Sequence, residues 1–575
     1  MHGKGADAIG PFFFCPIWMA TETYENPLCL RSLAIAGRAS ITNGSVFGCL
    51  RHPVKANPQM QLPSSKHWDR LTPAIPLILA AIALAVRLYG LSDKPLWLDE
   101  IITQRRANLA VPELITNSLH HRHFPTYFLL VRVFDAPLID EWMLRLPSAL
   151  FGAVSVFLVA LIGTEVRSRW AGIVAASLMT LSPLEVQYGQ EARPYALFSC
   201  LVLLALWGLV RIGQQTAPPE GRSSNRSDSH LGPWLAFAIG TISALNVLLL
   251  GAVWLITANL AAIAIFQHAG SRRADFLRKW AWVQAIIALT WVPGLIAMAL
   301  AVGNDPLRGI RWIPPTTLDH AWKVLSAVYL LRPSSITTFE LLPTPVPIFG
   351  VGIVAFALFG AWQLRSRPTS LTIIGLSGLA IPIVIFVISI FHPILVPRYF
   401  LFSTGPFFVL VGIGVTALPH RLSLVATTAA IAFGITSLAV YYRSETKPRW
   451  DLAAAYLAEN VQSGDSITAN DHMARYVLAA YGERYHLDRN RIQAINPQSA
   501  EKALRNTQEG SIWVVYGRTG QGAIGPEQTY FKQWLEMGLP TCRRQFGLNV
   551  VVLRLDRSAA GPGQNVQSPP CSEQR

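Results

Sequence analysis

Two adjacent carboxylates, Asp99 and Glu100, follow Pro95-Leu96-Trp97-Leu98 a few residues beyond the first long apolar run of the chain. Held against a lipid surface by Trp97, a carboxylate there can take the proton of a hydroxyl attacking a headgroup-borne substrate. The pair equally suits a solvated helix start, where the dipole favours acids. Arginines supply a complementary half. Arg193 stands in Gln187-Tyr188-Gly189-Gln190-Glu191-Ala192-Arg193-Pro194-Tyr195, and Arg398 in His392-Pro393-Ile394-Leu395-Val396-Pro397-Arg398-Tyr399-Phe400, each beside a proline at the head of an apolar run. Proline suits a first helical turn because its missing amide would lack a partner there. Both arginines therefore belong at helix starts, where the dipole and a planar, always-charged guanidinium can together hold a phosphate. The alternatives are arginines anchored among lipid headgroups and, for Arg193, a pair with Glu191.

A base near an attacking hydroxyl and two cations on a departing phosphate make up the machinery for transferring a group from a phosphate carrier. His120, His121 and His123 lie in the same first loop without HxxxH spacing, so solvated or hydrogen-bonded histidines are expected rather than a metal site. Neither a P-loop nor a GxGxxG strand-turn-helix pattern is present, and no spacing indicates a divalent cation or another cofactor.

The elements that must position these residues are set by composition. Of 575 residues, 51% are hydrophobic and 14% charged, against about 25% charged in an ordinary soluble domain. About eleven apolar runs approach the ~18 residues or more that cross a bilayer core. They are Pro73–Leu91, Ala149–Ile162, Ala171–Val186, Tyr195–Val210, Trp234–Leu250, Ala252–Phe266, Trp282–Val302, Phe349–Leu364, Leu371–Phe391, Phe400–Leu418 and Leu424–Tyr442. No signal peptide is readable, so the first run is expected to direct its own insertion. The net charge of +15 lies mostly in short segments between runs rather than on one stripe, which argues for the positive-inside bias and against nucleic acid. Most of Arg167 and Arg169, Arg211, Arg222 and Arg226, Arg272, Arg273, Arg278 and Lys279, Arg365 and Arg367, and Arg421 then face the cytoplasm, the adjoining runs around Gly251 leaving strict alternation open. The stretches Ser92–Pro147 and Gly303–Pro347, and everything after Tyr442, face outward.

Residues 1–72 read as a disordered cytoplasmic tail, 73–442 as the membrane domain, 443–557 as an extracytoplasmic α/β domain and 558–575 as a disordered tail. In the α/β domain, Trp450–Val461 and Tyr530–Met537 have helical patterns, and Ser511–Tyr516 and Asn549–Leu555 strand patterns. The six cysteines, Cys15, Cys29, Cys49, Cys200, Cys542 and Cys571, include no CxxC pair; a Cys542–Cys571 bridge is conceivable on this topology.

In order, the Asp-Glu pair, HxPxYF at His123–Phe128, RLPSA at Arg145–Ala149, QEARPYAL at Gln190–Leu197 and PRYFL at Pro397–Leu401 resemble the bacterial polyprenyl-phosphate-dependent glycosyltransferases. These GT-C fold enzymes are grouped with dolichyl-phosphate-mannose protein mannosyltransferases, lipid A aminoarabinose transferases and lipopolysaccharide core galacturonosyltransferases. The resemblance covers Pro73 to Tyr442. It implies a polytopic α-helical membrane protein of GT-C type, with a small C-terminal extracytoplasmic α/β domain, catalysing an inverting transfer at the outer face of the inner membrane. Asp99 becomes the catalytic base and Glu100 a positioner of acceptor or sugar. Arg193 and Arg398 become the phosphate contacts, and Tyr195, Tyr399, His123 and Glu191 candidates for substrate contact. Asn246 stands among aliphatics where some relatives carry polar or aromatic sugar contacts. The implied partners are a polyprenyl-phosphate sugar donor, a glycolipid, glycan or protein acceptor, and membrane lipids. A lipid-linked sugar flippase is the rival reading, but transporters place functional charges at mid-span. A scaffold protein is a second rival, and it leaves the shared sidedness of Asp99, Arg193 and Arg398 without a role.

Overall fold

The computed structural model describes residues 74–134, 140–216, 231–302, 313, 315–336, 339–344, 348–494, 511–517, 542–547 and 550–555. The two expected tails and the Tyr530–Met537 helix lie outside them.

The first apolar run forms α1 (Ile75–Leu88). Next come three short helices, α2 (Leu98–Ala107), α3 (Val111–His120) and α4 (Thr126–Val133), in the stretch read from sequence only as an outward-facing loop. The bundle continues with α5 (Glu141–Val166), α6 (Arg169–Leu181), α7 (Pro183–Gly189), α8 (Tyr195–Thr216), α9 (Leu231–Leu245), α10 (Gly251–Gln267) and α11 (Arg273–Val302). It is completed by α12 (Leu318–Tyr329), α13 (Ile348–Gln363), α14 (Pro368–Gly375), α15 (Ile381–Phe391), α16 (Leu401–Thr416) and α17 (His420–Arg443). A π-helical turn at Leu376–Ala380 joins α14 and α15 into one apolar rod.

Each of the eleven apolar runs falls on a helix. Seven helical rods among the described residues are long and apolar enough to cross a membrane, whereas α1, α6, α9 and α10 are shorter apolar helices. The run Ala171–Val186 is broken: Ser182 is extended and begins the separate helix α7. The residue before a proline is disfavoured in the α region, and Pro183 follows. The adjoining runs Trp234–Leu250 and Ala252–Phe266 are two helices, with a turn at Asn246–Leu250 between α9 and α10.

The bundle is built around α16, buried at every position from Leu401 to Val415. Its close approach to α13 depends on Gly360 and Gly414, which face each other; a Cβ on Gly414 would overlap the Phe356 carbonyl oxygen, and one on Gly360 that of Leu410. Small residues at membrane helix crossings let backbones meet in this way. Peripheral helices expose large apolar side chains, Leu289 at 75%, Leu300 at 81% and Phe391 at 76%, a surface that belongs in lipid rather than water. At the bundle end formed by the C-termini of α5 and α8, Arg211 pairs with Glu165 at 2.8 Å, and Arg367 donates to the Val166 carbonyl at 2.8 Å.

Beyond α17 come α18 (Trp450–Asn460), β1 (Ser466–Ala469), α19 (His472–Arg484), β2 (Ile492–Ala494), β3 (Ile512–Gly517), β4 (Cys542–Phe546) and β5 (Val550–Leu555). The sheet order is β2-β1-β3-β5-β4, parallel between β1 and its neighbours β2 and β3 and antiparallel elsewhere. The expected helix at Trp450 and strands near 511–516 and 549–555 are present. Cys542 is disulfide-bonded, and Cys200 is free and buried.

Candidate active site

Helix α2 starts at the Asp-Glu pair. Trp97 is extended before it, and its backbone N–H donates to Glu100 Oε2 at 3.4 Å, so the acid at the third helical position closes the first turn. The two neighbouring carboxylates then diverge.

Glu100 points into the protein. Arg145 Nε donates to Oε1 at 2.7 Å and Arg145 Nη2 to Oε2 at 2.9 Å; Lys447 Nζ donates to Oε2 at 2.7 Å, and the Ala192 N–H to Oε1 at 3.0 Å. Burial opposes its charge, but Arg145 and then Lys447 overcome this and hold the carboxyl down at about 2. With 0% exposure and both oxygens occupied, Glu100 has no surface to offer an acceptor or sugar. In this structure the residue knots the site together. Arg145 also caps the preceding segment, donating to the carbonyls of Leu91, Lys94 and Pro95 at 2.8, 2.8 and 3.0 Å. That is the work of the arginine in RLPSA.

Asp99 points the other way. Its Oδ2 lies 3.3 Å from Arg398 Nη1 and 3.6 Å from Arg193 Nη2; the Asp99 side chain is 21% exposed and those of the arginines 6% each. Residues 94 and 299 positions from Asp99 in the chain thus meet on one oxygen. Arg193 precedes α8, whose first turn closes when the Phe198 N–H donates to the Pro194 carbonyl at 2.9 Å. Arg398 lies in a 3₁₀ turn, Pro397–Phe400, leading into α16. Burial opposes the charge of Arg193, but Asp99 and then Tyr195 keep it firmly protonated. The Nη1 of Arg193 also donates to Thr103 Oγ1 at 3.3 Å.

Aromatic rings surround the arginines. The Arg398 guanidinium carbon is 5.9 Å from the Trp97 ring, 5.6 Å from Tyr195 and 5.7 Å from Tyr399. His123 is partly buried beside Phe128, with ring centroids 5.9 Å apart. Burial first, and the charges of Arg193, Arg106 and Arg398 after it, push its pKa well below the usual histidine value, so the ring stays neutral. Glu191 is fully buried under Trp97, whose Nε1 donates to Oε1 at 3.1 Å. It lies one layer behind the expected substrate contact, and burial raises its carboxyl to about 7. Asn246 bonds back to the Ile242 carbonyl of α9 at 2.9 Å and accepts from Thr126 on its backbone oxygen at 2.6 Å. His120 contacts the Ala301 carbonyl at 2.9 Å and His121 that of Asn117 at 2.8 Å. Among the described residues, no three His, Cys, Asp or Glu side chains converge as metal ligands.

Sequence reasoning missed Lys447, Thr103 and Arg106. A turn of α2 carries Thr103 and Arg106 onto the Asp99 face, a signal available from helical spacing. Lys447 lies 347 residues from Glu100, and no local pattern joins them. The C-terminal domain also reaches the site: Tyr481 on α19 accepts from the Leu96 N–H at 2.6 Å and donates to the Leu96 carbonyl at 3.1 Å.

Residues 128–296 match the family described as dolichyl-phosphate-mannose-protein mannosyltransferase. ArnT from Cupriavidus metallidurans in the apo state superposes with a TM-score of 0.53 at 13% identity, covering 85% of this chain and 99% of that one. ArnT bound to undecaprenyl phosphate gives 0.50 at 13% identity, over 87% and 100%. Archaeal oligosaccharyltransferase AglB from Archaeoglobus fulgidus, in complex with an inhibitory peptide and a dolichol-phosphate, gives 0.51 at 13% identity, over 78% and 70%. The chain has the GT-C fold. The matched family and these structural neighbours are glycosyltransferases. No curated protein sequence matches the chain. On this GT-C scaffold the cluster of Asp99, Arg193 and Arg398 sits where the first short helices meet the starts of α8 and α16.

Proposed function

We propose that the chain is an inverting membrane glycosyltransferase that moves a sugar from a polyprenyl-phosphate carrier to an acceptor hydroxyl on the outer face of the membrane. The observation that carries this reading is the meeting of Arg193 and Arg398 on Oδ2 of the partly exposed Asp99. The acceptor oxygen attacks the anomeric carbon from the face opposite the phosphate, Asp99 takes its proton, and the bond from that carbon to the phosphate oxygen breaks. Polyprenyl phosphate leaves with the electron pair and one more negative charge, which the two guanidiniums stabilise as it grows. Base catalysis of this kind contributes about 10²–10⁴-fold.

An outward-facing site is supported by the arginines at the opposite bundle end and by the disulfide of Cys542, which suits an oxidising compartment. A glycolipid or other cell-envelope glycan is our preferred acceptor, in the inner membrane of a bacterium. A protein acceptor is the second reading, favoured by the match of residues 128–296 to protein mannosyltransferases.

Membranes holding the protein and a radiolabelled polyprenyl-phosphate sugar test the reading. Label should pass to a glycolipid or protein fraction, and Asp99→Asn should cut transfer at least about 100-fold while the protein keeps its melting temperature. Undiminished transfer by Asp99→Asn removes the base assignment. Movement of intact glycosyl phosphate between leaflets, without transfer, replaces the enzyme with a flippase.

A further inference from the structure

Arg106 is left over once Asp99, Arg193 and Arg398 have been given their roles. It is 5% exposed, and on α2 it shares a face with Asp99 and Thr103, seven and three residues back. Its Nε donates to Asn117 Oδ1 at 2.9 Å, and its guanidinium lies 4.6 Å over the Phe128 ring. Those contacts fix its plane but bring no counter-charge: among the described residues no carboxylate pairs with Arg106, and its Nη1 is buried without a hydrogen-bond partner. Arg193, whose Nη1 reaches Thr103 Oγ1, likewise keeps a buried Nε without a partner. A buried guanidinium beside another is costly unless an anion joins them. Burial first, and the neighbouring Arg193 charge next, hold the pKa of Arg106 at about 10, a tension that an oxyanion between them relieves.

Charge counting points the same way. Asp99 with Arg193 and Arg398 leaves one positive charge, enough for the single negative charge of a sugar phosphodiester. Arg106 adds a second, and the nearby His123 is neutral.

We propose that Arg106, Thr103 and the Nε edge of Arg193 form a second anion subsite beside the carrier-phosphate pair, so that the donor headgroup carries a further oxyanion next to the phosphate. The proposal rests on the glycosyltransferase reading and narrows its donor to an acidic one. The oxyanion is either the carboxylate of a uronic acid or the second phosphate of a diphosphate carrier.

Binding to the full chain in lipid nanodiscs separates these. The probes are undecaprenyl phosphate, undecaprenyl diphosphate, and undecaprenyl phosphate esterified to glucose or to glucuronic acid. Arg106→Gln should weaken the diphosphate or the glucuronate probe by about 10- to 100-fold, as expected for a lost charge-assisted hydrogen bond. It should leave undecaprenyl phosphate and the glucose probe within about twofold, and Arg106→Lys should recover part of the loss. Whichever acidic probe responds identifies the source. Arg193→Gln should weaken all four. Asn117→Ala removes the tether while keeping the guanidinium; it should lower the melting temperature much as Arg106→Gln does without altering probe preference, which separates a merely structural role. Equal weakening of all probes by Arg106→Gln, or of none, overturns the subsite. If the unmodified protein binds no polyprenyl phosphate at all, the glycosyltransferase reading falls too; if it binds with Arg193 dependence but without Arg106-dependent preference, only the subsite falls.

Discussion

Asp99 and Glu100 have the same chemistry and adjacent positions, yet α2 turns one toward Arg193 and Arg398 and the other into a fully occupied ionic knot. Glu100 in the folded protein titrates near 2, below its ordinary value of 4.5. A carboxyl depressed on folding contributes stability that is present above the ordinary value and is lost as pH falls toward the folded one. The melting temperature of the solubilised protein should therefore fall on acidification from about 4.5 toward 2. Glu100→Gln should cost about 3–5 kcal/mol at neutral pH, because Arg145 and Lys447 would be left buried without their counter-charge; equilibrium unfolding in detergent measures it. Glu191 has the opposite sign. Its folded value of about 7 lies above 4.5, so its contribution is full below 4.5 and disappears as pH rises through 7. Glu191→Gln keeps an acceptor for Trp97 Nε1 and should flatten the melting temperature across that window. Of these residues, Asp99, Arg193 and Arg398 were legible as motifs because each adjoins a Pro- or Trp-marked helix start. The division of labour between Asp99 and Glu100 was not, since it depends on Arg145 and Lys447 arriving from elsewhere.

At the scale of elements, apolar run length located the bundle helices because a bilayer-spanning segment declares itself by composition alone. It passed over Ser182, where one run becomes two helices, and missed the short helices α2 to α4, whose mixed polar and aromatic residues show no long period. The strands β1, β2 and β4 are three to five residues each, too brief to announce themselves. Helix α19 links the C-terminal domain to α2 and the segment before it, through Tyr481 on Leu96 and Arg105 stacked 4.3 Å from the Tyr476 ring. Tyr481→Phe should cost about 1 kcal/mol and loosen residues 92–97, seen as faster amide exchange there. A chain ended after Arg443 keeps every bundle helix but loses Lys447 and Tyr481, and its transfer rate should fall below detection. At the α13–α16 crossing, Gly414→Leu should destabilise by at least about 1–3 kcal/mol in thermal unfolding, because a side chain there overlaps backbone rather than a flexible neighbour.

For the whole molecule, the fold places the site and the soluble domain at one end of the bundle and the Arg211–Glu165 pair at the other. Cysteines introduced at the exposed positions Asp488 and Arg365, with the native free thiols replaced by serine, test the sidedness. A membrane-impermeant maleimide added to intact cells should label Asp488→Cys readily and Arg365→Cys only after the membrane is opened. The reverse pattern would invert the topology and put the transfer reaction on the cytoplasmic side.

On the function proposed above, the carboxylate seated between Arg193 and Arg398 is a lodger in the berth of the lipid's own anion. Every phospholipid in the surrounding leaflet presents a phosphate, and an undefended pair of guanidiniums would be fouled by the most abundant of them. With Asp99 in residence, a newcomer must offer enough additional grip to evict it, which ordinary headgroups lack. An odd signature follows: the crippled Asp99→Asn protein should hold undecaprenyl phosphate, and even phosphatidylglycerol, more tightly than the working one does. Native mass spectrometry of the two proteins, comparing co-purified lipid, would show whether catalysis and cleanliness are guarded by the same side chain.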